Sequence, residues 1–522
     1  MDFPLVLTAA EMRAADQAIA RALGVPTLRL METAGAGVAE VVRREIAGAA
    51  GEVVIVCGGG SNGGDGFVAA RHLARPGVPV RVLLTAPRTK IQGDAAAALA
   101  ALEAAAQGTS MVIEDGSGWL DAAAWRAGLG EAPKAAIVDA IFGTGFHGPV
   151  RDVPAAALAA MNAAGGRKIA VDIPSGLDAD AGRAAGVVFR ADVTATMGAR
   201  KLGLCVGDAA TVGRVEVIEL GAPVDATTAP GVRCRLLDAP GIAALLPRRN
   251  AGAHKGSKGH LLVVAGSAGK TGAAFLTGTA TLRAGAGLVT VASTAAGQTA
   301  LDAKAIELMT ARHSDSEQVV PAEALAALEP LAARAQAMAI GPGIPTGEGM
   351  RAVVRELAAR LPLPMVLDAD ALNALGTSAA STLAGAKAPR VLTPHPGEMG
   401  RLLGLSIADV QGDRIGHARR LAEASGAVVA LKGAHTIVAA PAGDVFVNPV
   451  ATSALATAGS GDVLTGVVGA LLARGLDPLA AAQVAVYVHG AAGEALGLRL
   501  GDGVVAGDLP LEIAEVMVRL AG

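Results

Sequence analysis

Three cysteines, one tyrosine and two tryptophans are spread through 522 residues, and aromatic side chains make up only 2% of the chain. Cys57, Cys205 and Cys234 stand far apart with no metal-ligand spacing. That excludes a disulfide scaffold and a cysteine zinc site, and it fits a reducing compartment. So few rings imply that a bound nucleotide is held by backbone and glycine and not by stacking. Neither sign of charge dominates: 44 Lys and Arg stand against 47 Asp and Glu, a formal net charge of -3. With no basic stripe and no polybasic segment, nucleic acid and membrane surfaces are excluded as partners, and small-molecule chemistry is favoured. Apolar runs are cut by Gly or charge before the length of a membrane span. The start, MDFPLVLTAAEMRAADQAIA, lacks the basic-then-apolar pattern of a secretory signal, so the expected location is cytoplasmic.

What the chain has instead is alternation. Branched apolar runs at 53–57, 80–85, 135–139, 167–172 and 187–196 read as strands, separated by Ala-rich helical segments such as 93–107 and 154–163. The stretch 221–233, GAPVDATTAPGVR, has no apolar periodicity and marks a domain boundary. Beyond it the alternation resumes, with strands expected at 260–265, 287–292, 336–340, 364–368, 390–393, 427–431 and 436–439 and a helical tail from about 461. The expected class is α/β, with two distinct domains, 1–225 and 226–522, each built on parallel sheet layered by helices.

Two tempting motifs fail. Gly58, Gly60 and Gly63 satisfy G-x-G-x-x-G after a strand, but that fingerprint needs an acid roughly 20 residues on, and none occurs between Asp65 and Asp94. An NADP-type variant using Arg81 or Arg88 stays open, yet it leaves the cluster Asn62-Gly63-Gly64-Asp65-Gly66 unexplained. In the second half, AGSAGKTGAAF at 265–275 mimics a P-loop, but the first glycine of that pattern would fall at 264, which is Val. The more informative stretch is ALATAGSGDVLTG at 454–466. Glycine amides there open a helix with an acid in its first turn, suited to cradling a phosphoryl group while Asp462 deprotonates a hydroxyl.

In open parallel sheets, ligands bind beyond the carboxyl ends of the strands. Three polar, glycine-rich loops of the first half fall there: SNGGDG after 53–57, DAIFGTGFHG from Asp139, and DIPSGLD from Asp172. These stretches resemble the NAD(P)H-hydrate epimerase family, known by N-N-G-G-D-G, D-A-x-F-G-T-G and V-D-I-P-S-G-L-D, over about 1–220. Ser61 stands where that family usually carries its first Asn. The resemblance implies a Rossmann-like three-layer fold that binds a damaged, hydrated nicotinamide nucleotide. Substrate contacts would come from Ser61, Asn62, Gly63, Gly64, Asp65, Gly143, Thr144, Gly145, Phe146, His147, Gly148 and Asp172. Potassium would be held through Asn62, Asp139 and Ser175, and Asp172 would be the acid/base group. On this view Gly63, Gly64 and Gly66 let main-chain amides approach the substrate's phosphates.

The second half carries, in order, His254-Lys255-Gly256, Thr271-Gly272-Ala273-Ala274, Gly341-Pro342-Gly343, Asp368-Ala369-Asp370-Ala371-Leu372-Asn373, Thr393-Pro394-His395-Pro396-Gly397-Glu398 and Lys432-Gly433-Ala434-His435-Thr436. Together with the 459–463 helix start these are similar to the ADP-dependent NAD(P)H-hydrate dehydratase family, of ribokinase-like fold, over about 235–522. Many relatives read N-x-G-M-A-S-G where this chain has T-S-A-L-A-T-A. The resemblance implies that Ala273, Gly343, His395 and Asp462 contact the hydrated nucleotide. Lys432, Gly433, Ala434, His435, Thr436 and Gly461 would hold the adenine nucleotide, with magnesium bridging its phosphates. The implied protein is a bifunctional repair enzyme: it epimerises the R and S forms of NADHX and NADPHX and dehydrates the S form with ADP, giving AMP and phosphate. The rival reading is a ribokinase-type small-molecule kinase with a non-catalytic nucleotide-sensing module in front. Oligomeric state is left open, a homo-oligomer included.

Overall fold

A computed structural model describes residues 3–74, 78–246, 252 and 254–522. They form two compact units: Leu5–Val232, and Arg233–Gly522 together with the described start of the chain, Phe3 and Pro4. The division falls at the end of the Pro- and Gly-rich 221–233 stretch. Phe3 joins the second unit because its ring meets Phe446 edge-on at 5.7 Å, and the Leu236 N–H donates to the Pro4 carbonyl.

The first unit is a seven-stranded parallel sheet, layered by helices as the alternating sequence predicts. Its strands are β1 (Glu52–Cys57), β2 (Val80–Leu84), β3 (Val112–Asp115), β4 (Lys134–Ala140), β5 (Arg167–Val171), β6 (Val193–Met197) and β7 (Arg214–Ile218). They lie in the order β3-β2-β1-β4-β5-β6-β7, so the winding reverses between β1 and β4, where Cys57 is paired with Ala140. Loops leaving those two strands part in opposite directions and open a crevice at the carboxyl edge. β1 and β4 are buried on both faces, which accounts for their unbroken apolar runs.

Two local expectations are corrected. The sequence suggests a strand over 187–196, but only Val193–Met197 pairs. The preceding residues spend their backbone groups elsewhere: the Phe189 N–H on the Ser175 carbonyl, and Val188 and Arg190 on the Asn162 side chain. The glycine cluster after β1 reads as a loop with a helix beginning near Phe67, yet the helix spans Ser61–Leu73 and contains the cluster.

The second unit is a ten-stranded sheet. Its strands are β8 (Cys234–Leu236), β9 (His260–Val264), β10 (Leu288–Thr294), β11 (Met309–Ser314), β12 (Ala337–Ile340), β13 (Met365–Leu367), β14 (Arg390–Leu392), β15 (Val428–Leu431), β16 (Ile437–Ala439) and β17 (Val445–Val447). The order is β8-β17-β16-β15-β14-β13-β12-β9-β10-β11, parallel except where β16 pairs with β15 and β17. Winding reverses between β9 and β12, and the turns after β9, β12, β13, β14 and β15 all leave from one edge of the sheet. Against it packs the helix Ser460–Ala473, which meets the helix Thr271–Arg283 at a glycine: a Cβ on Gly466 would lie 2.3 Å from the Thr277 carbonyl. Thr277 and Thr281 bridge the two helices by donating to the Asp462 and Gly466 carbonyls. Among the described residues no helix is long and apolar enough to cross a membrane.

Candidate active sites

In the first unit a cavity of about 660 Å³ opens at the crevice between β1 and β4. Its wall includes Gly59, Gly60, Ser61, Asn62 and Asp65 from the helix start, Ile141 to Phe146 from the loop after β4, Asp172 after β5, and Met12, Arg13, Asp16, Met31 and Lys201. Sequence therefore locates one side of this pocket; Arg13, Asp16 and Lys201 are additions. Phe142 and Phe146 stack with centroids 4.5 Å apart at the wall, so two of the chain's seven phenylalanines are concentrated here.

The glycines need a different explanation from the one their motif suggests. A Cβ on Gly63 would sit 2.0 Å from the Gly58 carbonyl, on Gly64 2.6 Å from the Met31 side chain, and on Gly66 2.6 Å from Ala140 and 2.8 Å from Cys57 Sγ. These glycines face protein. They let the first turns of the helix press onto β1, β4 and the helix Thr27–Glu45, and none of them lines the cavity. Gly60, with no atom near its absent Cβ, does line it, and the free N–H groups of the helix's first turn lie beside it. His147 and Gly148 lie outside the wall; the exposed His147 ring is 3.4 Å from Asp178.

Asp172 stands in the left-handed region (φ 66°) at the centre of a tight turn closed by the Ile173 N–H on the Val171 carbonyl at 2.8 Å, while its own N–H donates to the Ala195 carbonyl at 2.7 Å. Its Oδ1 accepts from Lys201 Nζ at 2.5 Å and from Thr196 Oγ1 at 3.2 Å. Lys201 is 1% exposed and also donates to Thr196 Oγ1 and the Met197 carbonyl. Around this cation gather two further carboxyl groups. Burial pushes Asp16 up to about 6, with Lys201 opposing and Asp172 adding. Burial, then repulsion from Asp172 and Asp16, holds Asp65 well above the usual carboxylate range.

The three residues expected to hold potassium are neighbours. Ser175 donates its N–H and its Oγ to the two oxygens of Asp139, each at 2.7 Å. Ser175 Oγ accepts from the Phe142 N–H, and Asn62 Nδ2 donates to the Phe142 carbonyl. Asn62 Oδ1 is buried and has no hydrogen-bond partner. An orphaned amide oxygen beside a buried carboxylate and a hydroxyl fits a weakly charged, oxygen-seeking cation. Among the described residues no group of three or more His, Cys, Asp or Glu is arranged for a metal.

In the second unit the carboxyl edge of the sheet assembles another cluster. Lys432, after β15, donates to Asp368 Oδ1 at 2.6 Å and lies 3.8 Å from Glu398. Asp368, 1% exposed, accepts from Thr465 Oγ1 at 2.7 Å through its other oxygen. Burial works against the lysine's charge, yet Asp368 and Glu398 hold its pKa above the ordinary value. A Cβ on Gly461 would come within 3.2 Å of Lys432 Nζ, so the glycine helix start lies directly over the cation. Asp462, in the same first turn, is raised to about 6 by burial and by repulsion from Asp368. His489, on the helix Pro478–Leu500, braces this turn through the Ser460 carbonyl at 2.9 Å.

Ala273 reaches the same place, since Thr277 Oγ1 links its carbonyl to that of Asp462. Gly343 (φ 66°) approaches so closely that a Cβ would lie 2.8 Å from the Lys270 carbonyl and 3.3 Å from Ala273 Cβ. His395 accepts the Gly397 and Glu398 N–H groups on Nδ1, which leaves its proton on Nε2. Burial and then Lys432 hold its pKa below the ordinary value, which favours the neutral ring. The 432–436 turn is braced by Arg414, which donates to the Ala434 carbonyl; His435 (φ 53°) is tied to the Asn448 carbonyl, and Thr436 Oγ1 to the Gly433 carbonyl. The P-loop mimic is consumed by its own protein: Ser267 Oγ donates to the Gly343 carbonyl and the Ala268 N–H to Glu317. Sequence missed Thr465, Arg414 and His489, which are single polar residues without a motif, and gave Asp368 no role although its D-A-D-A-L-N run stood out.

Residues 261–515 match the family described as NAD(P)H-hydrate dehydratase, and residues 27–203 that described as YjeF-related protein N-terminus. The bifunctional NAD(P)H-hydrate repair enzyme Nnr of Moorella thermoacetica is 43% identical over 513 residues, covering 97% of this chain and 95% of its own. Those of Salinibacter ruber and Escherichia coli K12 are 39% and 34% identical over 95% and 96% of this chain and 92% and 91% of theirs. Among solved structures, the ADP/ATP-dependent NAD(P)H-hydrate dehydratase from Bacillus subtilis, co-crystallized with ATP/Mg2+, is 31% identical over 55% of this chain and 96% of its own, with a TM-score of 0.46. Likeness along nearly the whole length, through both units, sets the kinase-with-sensor reading aside, and the chain belongs to the family of bifunctional NAD(P)H-hydrate repair enzymes.

Proposed function

We propose that the first unit is the epimerase domain and the second the dehydratase domain, each working at the cluster described above, on NADHX and NADPHX as shared substrates. The observation that carries this reading is the cluster at Asp462: a carboxyl held near 6, a helix start made of glycine, and a buried lysine under it. In the dehydratase domain Asp462 takes the proton of the ring hydroxyl as its oxygen attacks the terminal phosphorus of ADP, with AMP leaving. Lys432 and the amides at 459–461 stabilise the negative charge on the transferring group. His395 serves as an Nε2–H donor. The C–O bond to phosphate then breaks as the neighbouring ring carbon loses a proton, restoring the dihydronicotinamide. Magnesium carried in with the nucleotide would supply positive charge against its phosphates.

In the epimerase domain the acid/base work falls to Asp172, fixed by Lys201, with the carboxyl groups of Asp16 and Asp65 as proton reservoirs beside it. Potassium would be held by Asn62, Asp139 and Ser175 and would supply positive charge next to the substrate. Gly60, Ser61 and the aromatic pair Phe142 and Phe146 are the contacts for phosphate and ring, respectively. The test is to supply mixed R and S hydrate with ADP and follow the absorbance of the restored reduced nicotinamide. Complete conversion of both epimers supports the reading. Conversion that stops at the S fraction refutes an epimerase in the first unit, and none at all refutes the dehydratase.

A further inference from the structure

The Arg233–Gly522 unit holds a cavity of about 330 Å³ beside its reaction site. Its wall combines Ile344 and Pro345 with Arg351, Asp370, Asn373 and Arg401. It begins one residue beyond Gly343 and is built partly from the D-A-D-A-L-N run. Arg401 is fixed at one end only: its Nε donates to Asn373 Oδ1 at 2.8 Å, and Asn373 Nδ2 in turn donates to Asp370 Oδ1 at 3.2 Å. The acid of the group is already countered, because Lys270 Nζ lies 3.3 Å from Asp370 Oδ2. The two terminal nitrogens of Arg401 have no hydrogen-bond partner among the described residues, and the same wall holds Arg351, whose Nε donates to the Thr346 carbonyl at 3.1 Å and whose Nη1 pairs with Glu348 at 3.0 Å.

The pocket also communicates with the reaction site. Ile344 of its wall directly follows Gly343, Asp370 lies two residues beyond Asp368, and Arg401 is carried by the helix Pro396–Leu403 that His395 caps. A ligand lying against Gly343 and His395 can therefore extend into this cavity. We infer that the cavity between Arg351 and Arg401 is the subsite for the phosphorylated ribose at the distal end of the substrate, the group that distinguishes NADPHX from NADHX. The chemistry is a planar, forked cation offered to a phosphate monoester, with a small apolar floor under the sugar. This inference rests on the dehydratase reading of the second unit.

The experiment uses the full chain, comparing wild type with Arg401→Gln, Arg401→Lys and Arg351→Gln. With ADP as donor, the ratio of kcat/KM for S-NADPHX to that for S-NADHX should fall about tenfold in Arg401→Gln, through KM, and be partly retained in Arg401→Lys. In parallel, calorimetry should find adenosine 2′,5′-bisphosphate bound about tenfold more weakly by Arg401→Gln, with 5′-AMP binding far less affected. A ratio within about twofold of wild type in both glutamine variants, or bisphosphate affinity unaltered by Arg401→Gln, overturns the assignment. If wild type dehydrated neither hydrate, the functional reading would fall, and the bisphosphate comparison would still decide whether the pocket binds a phosphorylated ribose.

Discussion

Lys201 Nζ lies 2.5 Å from Asp172 Oδ1, and the lysine is almost wholly enclosed while the carboxylate opens onto the cavity. Removing the cation leaves Asp172 beside two further acids with nothing to balance them. Lys201→Met should cost about 3 kcal/mol in denaturant unfolding of the first unit, the low end for a broken buried pair. Epimerisation should drop by about 10²-fold or more, while dehydration of pure S hydrate persists. Full epimerase activity in Lys201→Met would remove the lysine from the account.

The orphaned oxygen of Asn62 gives the cation site its own test. Wild type should melt at higher temperature in potassium chloride than in tetramethylammonium chloride at equal ionic strength, because an ion bound to the native state stabilises it by mass action. Asn62→Leu should erase that difference. An Asn62→Leu protein as responsive to potassium as wild type would contradict the donor set.

Gly63 and Gly60 should behave in opposite ways. Gly63→Ala would place a methyl 2.0 Å from the Gly58 carbonyl, whereas Gly60→Ala meets nothing within 4 Å. The first should lower stability by about 1–3 kcal/mol or more through overpacking, and the second should leave melting near wild type. Equal tolerance of both would restore the motif's phosphate explanation for Gly63.

These contrasts show which features a sequence displays. The central strands and the three loops after β1, β4 and β5 are legible, because turns that break an apolar run stand out against it. Lys201 is not: a single lysine in ARKLG reads as a solvated surface residue, and only the fold brings it under Asp172. The helix start at Ser61 was hidden by its glycines, which are poor helix formers held in place by tertiary contact with Gly58 and Met31. Edge strands such as Val112–Asp115 and Arg214–Ile218 are half exposed and carry acids, so they lack the branched apolar signature of β1 and β4. In the second unit the glycine and acid motifs supply most of the residues that gather at the sheet edge, whereas Thr465 and Arg414 depend on which loops the sheet places side by side.

The pH profile of dehydration follows from Asp462. Its carboxyl is raised from 3.8 to about 6, and only the ionised form can take the hydroxyl proton. Activity on S hydrate should therefore be level at neutral pH and fall as pH drops through about 6, where an ordinary aspartate would still be ionised. A profile flat down to about pH 5 would count against Asp462 as the base.

The most direct measurement gives Asp172→Asn and Asp462→Asn the same mixture of R and S hydrate with ADP, following restored reduced nicotinamide together with the epimer ratio. Each substitution keeps size and removes a proton-handling group, a loss of about 10²–10⁴-fold in its own reaction. Asp462→Asn should restore no nicotinamide yet still equilibrate the epimers. Asp172→Asn should consume the S form and leave the R form to spontaneous interconversion. If either single substitution stopped both reactions in a protein of unchanged melting temperature, the division into two chemically independent sites would be contradicted.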